Sequence, residues 1–129
     1  MASILLVDDS AFRIPQCKKW LERALEIAEL EGRVYTAIHP NEAIRIYLEE
    51  HELIELVVLD YNMPDMNGME LLRNLLKVSQ TKAILWTASE DSELKNAALG
   101  AGFQKVLPKK PPTDGWFIGQ VVELLKAKS

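Results

Sequence analysis

Five residues carry groups suited to phosphoryl chemistry: Asp8, Asp9, Asp60, Thr87 and Lys109. Three carboxylates brought together repel one another and need a cation among them. A set of oxygen donors alone selects a hard ion, and magnesium suits a few carboxylates, retained waters and a substrate phosphate. Zinc is not expected, because neither Cys17 nor His39 or His51 falls at the end of an apolar run. A carboxylate is a competent nucleophile. Magnesium, an ammonium and a hydroxyl together offset the charge spread over transferring oxygens. All of this requires that five groups separated by up to a hundred residues meet at one place.

The elements around them supply the reason to expect that meeting. Asp8 and Asp9 follow the apolar run Ile4-Leu5-Leu6-Val7, and Asp60 follows Leu56-Val57-Val58-Leu59. Thr87 follows Ala83-Ile84-Leu85-Trp86, and Lys109 comes shortly after Lys105-Val106-Leu107. Short apolar runs rich in branched residues and bounded by turn formers read as buried strands. Val34 to Ile38 reads as a further strand, second in chain order.

Between the strands the apolar period changes to three and four, the mark of amphipathic helices. These are Gln16 to Leu30, stopped by Gly32; a stretch after Pro40-Asn41 through Ala43, Ile44, Tyr47 and Leu48; Met69 to Leu76; Ser92 to Leu99; and a last helix capped by Thr113-Asp114. Five strand–helix units in succession predict an α/β fold, an open, doubly wound parallel sheet with helices on both faces. Such sheets bind ligands outside the carboxyl ends of their strands, where all five groups stand.

Composition narrows the classes further. A chain of 129 residues fits one domain, 1–129, with no room for an output domain. A net charge of −4, with no basic cluster beyond Lys109-Lys110, argues against nucleic acid. Cys17 is the single cysteine, so no internal disulfide forms. Aspartates within the first ten residues exclude a signal peptide, and no apolar run approaches the roughly 18 residues of a membrane span. A soluble, cytoplasmic domain is expected.

The segments Leu5-Leu6-Val7-Asp8-Asp9-Ser10, Leu59-Asp60-Tyr61-Asn62-Met63-Pro64-Asp65-Met66-Asn67-Gly68, Thr87-Ala88 and Lys109 resemble the receiver domain of two-component response regulators. The resemblance covers essentially the whole chain, and the stretch from Asp60 to Gly68 is its most specific part. It implies a flavodoxin-like sheet in the order 2-1-3-4-5. It also implies that Asp60 is the phosphoacceptor, and that Asp8, Asp9 and the backbone carbonyl of Asn62 join Asp60 in holding magnesium. By the same resemblance Thr87 is the hydroxyl that swings toward the phosphoryl group, small Ala88 leaves room for it, and Lys109 pairs with the phosphoryl oxygens. The implied partners are a histidine kinase or a histidine phosphotransfer protein, and a downstream protein bound through the face of the fourth helix, fifth strand and fifth helix. No separate substrate is turned over.

Two positions depart from the family pattern. The family follows its lysine with proline, often through a cis bond, whereas Lys109 precedes Lys110, with Pro111 and Pro112 beyond. A cis bond without proline costs roughly 3 kcal/mol. Either that strain is retained, or the bond is trans and Lys109 is aimed differently; a one-residue shift would put Lys110 in the role, though spacing from Gly100 and Gly102 favours Lys109. Val106 stands where many relatives carry an inward-turning aromatic ring. Pro15 predicts a first helix that begins late or bends near Ile14, since proline fits a helix only in its first turn.

Three other functions compete. A phosphatase of the haloacid dehalogenase type shares magnesium and an aspartate nucleophile, but wants Asp-x-Asp where this chain has Asp8-Asp9-Ser10. Flavin binding in a similar fold needs a hydroxyl-rich loop after the first strand, which is missing. A receiver-like surface that no longer uses phosphate draws support from Lys110 and Val106, against the complete acidic set and Thr87. His39 and His51 are expected to be exposed, Cys17 to pack on the first helix, and Trp20 and Trp86 to be core or half-core. Trp116 and Phe117 are open between core and a partner patch.

Overall fold

A computed structural model describes residues 1–127 of the chain. Strands and helices alternate: β1 (Ser3–Val7), α1 (Arg13–Ile27), β2 (Val34–Ala37), α2 (Pro40–Glu50), β3 (Ile54–Asp60), α3 (Gly68–Leu76), β4 (Lys82–Thr87), α4 (Ser92–Ala101), β5 (Lys105–Pro108) and α5 (Asp114–Lys126). The strands form one parallel sheet in the order β2-β1-β3-β4-β5. The doubly wound class and the 2-1-3-4-5 order are both as expected.

Side chains alternate across a strand, so covering both faces demands continuous apolar runs. Ile4, Leu6, Leu56, Val58, Ile84, Trp86 and Leu107 face α1 and α5. Leu5, Val7, Val57, Leu59, Ala83 and Leu85 face α2, α3 and α4. Each fully buried leucine or isoleucine here contributes about 1.5–3 kcal/mol, enough that exposing one face by a register slip would unfold the domain.

Helix α1 starts at Arg13, three residues before the periodic stretch read from sequence. Pro15 is its third residue, inside the first turn, where a missing N–H leaves no helical bond unmade. The carbonyl of Ser10 accepts from Arg13 N (3.1 Å) and Ile14 N (3.4 Å), which lets the helix begin without a side-chain cap.

Gly32 does not stop α1. Glu29, at φ 58°, makes the left-handed turn instead, and Leu30 N donates to Leu25 O at 3.0 Å. Gly32 serves packing: a Cβ there would collide with the carbonyl of Ala2. The predicted cap of α5 is present, with Thr113 Oγ1 accepting from Trp116 N at 3.0 Å.

Phe117 and Cys17 are buried, Trp20 half-buried, and Trp116 exposed, which divides the pair left open by the sequence. His39 is exposed, but His51 is half-buried with its ring 6.1 Å from that of Tyr47.

Candidate functional site

Parallel strands all end at the same edge, so β1, β3, β4 and β5 deliver their last residues to one rim. Asp60 is the final residue of β3 and Thr87 of β4, and both side chains are buried. Asp8, just past β1, is buried as well, while Asp9 is exposed at the lip. One carboxylate oxygen from each of Asp8, Asp9 and Asp60 lies within 4.8 Å of the others.

Lys109 enters this cluster from β5. Its Nζ stands 2.8 Å from Asp60 Oδ1 and 3.2 Å from Asp8 Oδ2, and its side chain is only 6% exposed. No peptide bond among the described residues is cis, so the bond to Lys110 is trans. The expectation that a trans bond would aim Lys109 elsewhere fails. The Lys109 amide donates to Thr87 O at 3.0 Å, extending the β4–β5 ladder past the strand and carrying the side chain over the rim. Lys110 is exposed, which leaves Lys109 in place without a register shift.

Local sequence explains each position. Asp8 Oδ1 accepts from Ser10 N at 2.9 Å, turning the chain sharply into α1. The loop after Asp60 contains Asn62, exposed two residues beyond the strand, and Asp65 at φ 74°, a conformation aspartate tolerates. Gly68 N closes the loop on Tyr61 O at 2.9 Å. A Cβ on Gly68 would come within 2.5 Å of the Asp60 carbonyl, so only glycine lets α3 start this close to the rim. Asn67 then caps α3 in a reciprocal box with Glu70. The Thr87 hydroxyl accepts from Ser89 N at 3.1 Å, and Asp91 rather than Thr87 caps α4.

Electrostatics make Asp60 unusual. Burial, opposed by the hydrogen bond and charge of Lys109 and reinforced by Asp8 and Asp9, raises its pKa from 3.8 to about 6. Lys109 offsets the cost of burial only in part, and one ammonium faces three carboxyl groups. An oxygen-only cluster with uncompensated negative charge is the donor set that a hard divalent cation fits. Burial also pushes the Cys17 thiol upward, with the Asp8 charge acting in the same direction, so Cys17 is a packing residue and not a nucleophile.

One contact was missed in the sequence. The Lys109 ammonium lies over the ring of Trp86, 5.2 Å from its centroid. Strand parity held the signal: Trp86 pairs with Leu107, and Lys109, two residues on, returns to the same side of the sheet.

Similarity to known proteins agrees with this geometry. A family model described as response regulator receiver domain matches residues 4–115. An uncharacterised 14.6 kDa protein of Leptolyngbya boryana is 38% identical over 109 residues, covering 82% of this chain and 77% of that protein. A CpxR transcriptional regulatory protein homologue of Haemophilus influenzae is 32% identical over 98% of this chain and 51% of its own length. The chain thus spans about half of that regulator. A response regulator receiver domain protein from Clostridium thermocellum superposes with a TM-score of 0.81 at 27% identity, covering 97% of this chain and 94% of that one.

Proposed function

Since this chain belongs to the response regulator receiver domain family, we propose that it accepts a phosphoryl group on Asp60 from a phosphohistidine donor, a histidine kinase or a histidine phosphotransfer protein. The observation that carries the reading is the convergence on Asp60: Lys109 Nζ at 2.8 Å and the carboxylates of Asp8 and Asp9 beside it.

In the transfer, an Asp60 carboxylate oxygen forms a bond to phosphorus as the phosphorus–nitrogen bond of the donor breaks, and the electron pair leaves with the imidazole nitrogen. The product is an acyl phosphate. Lys109, already charged and desolvated, turns from the carboxylate to the phosphoryl oxygens without moving its backbone. Thr87 donates its hydroxyl to the same oxygens once it releases the Ser89 amide. Loss of the phosphate runs through water: its oxygen bonds to phosphorus, the acyl-phosphate phosphorus–oxygen bond breaks, Asp60 regains its carboxylate, and the proton given up by the water leaves with the inorganic phosphate or to solvent. The protein turns over no separate substrate.

Asp8, Asp9 and Asp60, with the backbone carbonyl of Asn62, are the groups that would hold magnesium. When bound, the ion relieves the repulsion among the carboxylates and stabilises charge on the phosphoryl oxygens.

Output passes to a protein partner through the face of α4, β5 and α5. Helix α4 buries only Ala98, while Leu99 of α4 and Trp116 of α5 stand exposed. Val106, half-buried on β5, has no ring to turn inward, so Thr87 changes rotamer without an aromatic companion. Structures with and without beryllofluoride test this, and an unchanged Thr87 rotamer would refute it.

The central experiment is incubation with acetyl phosphate and magnesium, followed by intact mass. A magnesium-dependent gain of one phosphoryl group, abolished by Asp60→Asn, is expected. Labelling that survives that substitution would place the acceptor elsewhere.

A further inference from the structure

Two carboxylates attract the Lys109 ammonium, but they do not fix its approach. Among the described residues its backbone is held by one bond, from its amide to Thr87 O at 3.0 Å, and a trans bond leads on to Lys110 in place of the proline usual in the family. A lysine stem has several rotatable bonds, so electrostatics alone leaves the ammonium a choice of positions.

We infer that the indole of Trp86 is the positioning element: its face seats the Lys109 ammonium between Asp8 and Asp60, so that the charge meets the phosphoryl group from one direction. The inference deepens the phosphoacceptor reading of Asp60 and rests on it.

Three observations carry it. The ammonium is 5.2 Å from the ring centroid, inside the roughly 6 Å reach of a cation–π contact. The Lys109 side chain is 6% exposed, so the contact forms in a desolvated setting where it is strongest. Trp86 is 2% exposed, yet its Nε1 has no hydrogen-bond partner among the described residues. A buried unpaired donor is unfavourable, and an aliphatic residue or phenylalanine would avoid it. What tryptophan adds over both is the ring most strongly attractive to a cation. The platform is itself anchored, because Phe117 of α5 lies 6.2 Å from Trp86 and 5.0 Å from Trp20 of α1.

The test compares Trp86→Leu and Trp86→Phe with the unaltered chain by two readouts. The first is the proton shift of the Lys109 side chain in the absence of phosphate and magnesium, assigned by its loss in Lys109→Met. Protons over a ring face move upfield, and the shift is expected to vanish in Trp86→Leu and to persist in Trp86→Phe. The second is the rate of phosphorylation by acetyl phosphate. Trp86→Leu is expected to lower the rate at saturating donor by about three- to tenfold, with the magnesium half-saturation unchanged, and Trp86→Phe to recover most of it. Unshifted Lys109 protons, a full rate in Trp86→Leu, or equal losses in both variants would overturn the inference. Should the unaltered chain take up no phosphate, the phosphoacceptor reading falls, and the proton shifts alone then decide whether Trp86 seats Lys109.

Discussion

Two lysines at opposite ends of the same sheet show how one side chain serves different ends. At the base, Lys82 opens β4 and donates to Leu124 O at 2.9 Å, which also accepts from Ala127 N, and to Ala127 O at 2.7 Å, tying β4 to the end of α5. A cation there also meets the negative end of the helix dipole. At the rim, Lys109 faces the buried carboxylates of Asp8 and Asp60. Neutral carbonyls hold Lys82 without opposing the fold, whereas crowded carboxylates hold Lys109 while repelling one another. A cleft of about 810 Å³ lies at the base among Leu30, Ile54, Thr81, Lys82 and Leu124. Convergent charge, not volume, distinguishes the rim. If the proposed function holds, the base stabilises and the rim reacts, and a single substitution ought to separate the two properties.

The largest effect is expected from Asp60→Asn. It should abolish acetyl phosphate labelling, read by intact mass, while raising the urea midpoint of the metal-free protein by the equivalent of about 1–2 kcal/mol, because a disfavoured buried charge is removed. Loss of both activity and stability would break the contrast between the two ends.

Next comes Lys109→Met, which leaves Asp8 and Asp60 without their cation. Removing one partner of a buried pair is strongly destabilising, about 3 kcal/mol here, and added magnesium should restore part of the loss. Equilibrium unfolding with and without magnesium checks this; a midpoint indifferent to the ion would argue against its binding at the acids.

Lys82→Met should lower stability by about 1.5 kcal/mol through loss of charge-assisted bonds, yet leave the phosphorylation rate unaltered. A slowed rate would mean that the base and the rim are coupled.

A last effect concerns pH. Between 3.8, the ordinary aspartate value, and about 6, the folded state holds a proton on Asp60 that the unfolded chain has lost. The Asp60 contribution to stability must therefore fall as pH rises through that window. Unfolding midpoints of the parent and Asp60→Asn should diverge across it, and a contribution that grows with pH would contradict the raised value.

Much of this was legible in the residues themselves. Apolar runs too long for a one-sided sheet announced a sheet covered on both faces, and turn formers behind them located Asp8, Asp9, Asp60 and Thr87 at strand ends. The misreadings came where two residues compete for one task. Either Gly32 or Glu29 offers a left-handed turn, and the position needed against Ala2 took the glycine. Helix α1 starts ahead of Pro15 because its first turn needs no amide there.

Local pattern, then, was enough to determine the strands, the helices and the order in which charged groups leave them, since periodicity and turn chemistry act over a few residues. Only the packed sheet decided that Lys109 reaches Asp60 through a trans bond and that the Trp86 ring lies beneath its ammonium. Those contacts join strands more than twenty residues apart in sequence, β5 to adjacent β4 for Trp86 and β5 across β4 to β3 for Asp60, where direction and distance are set by register and burial rather than by spacing along the chain.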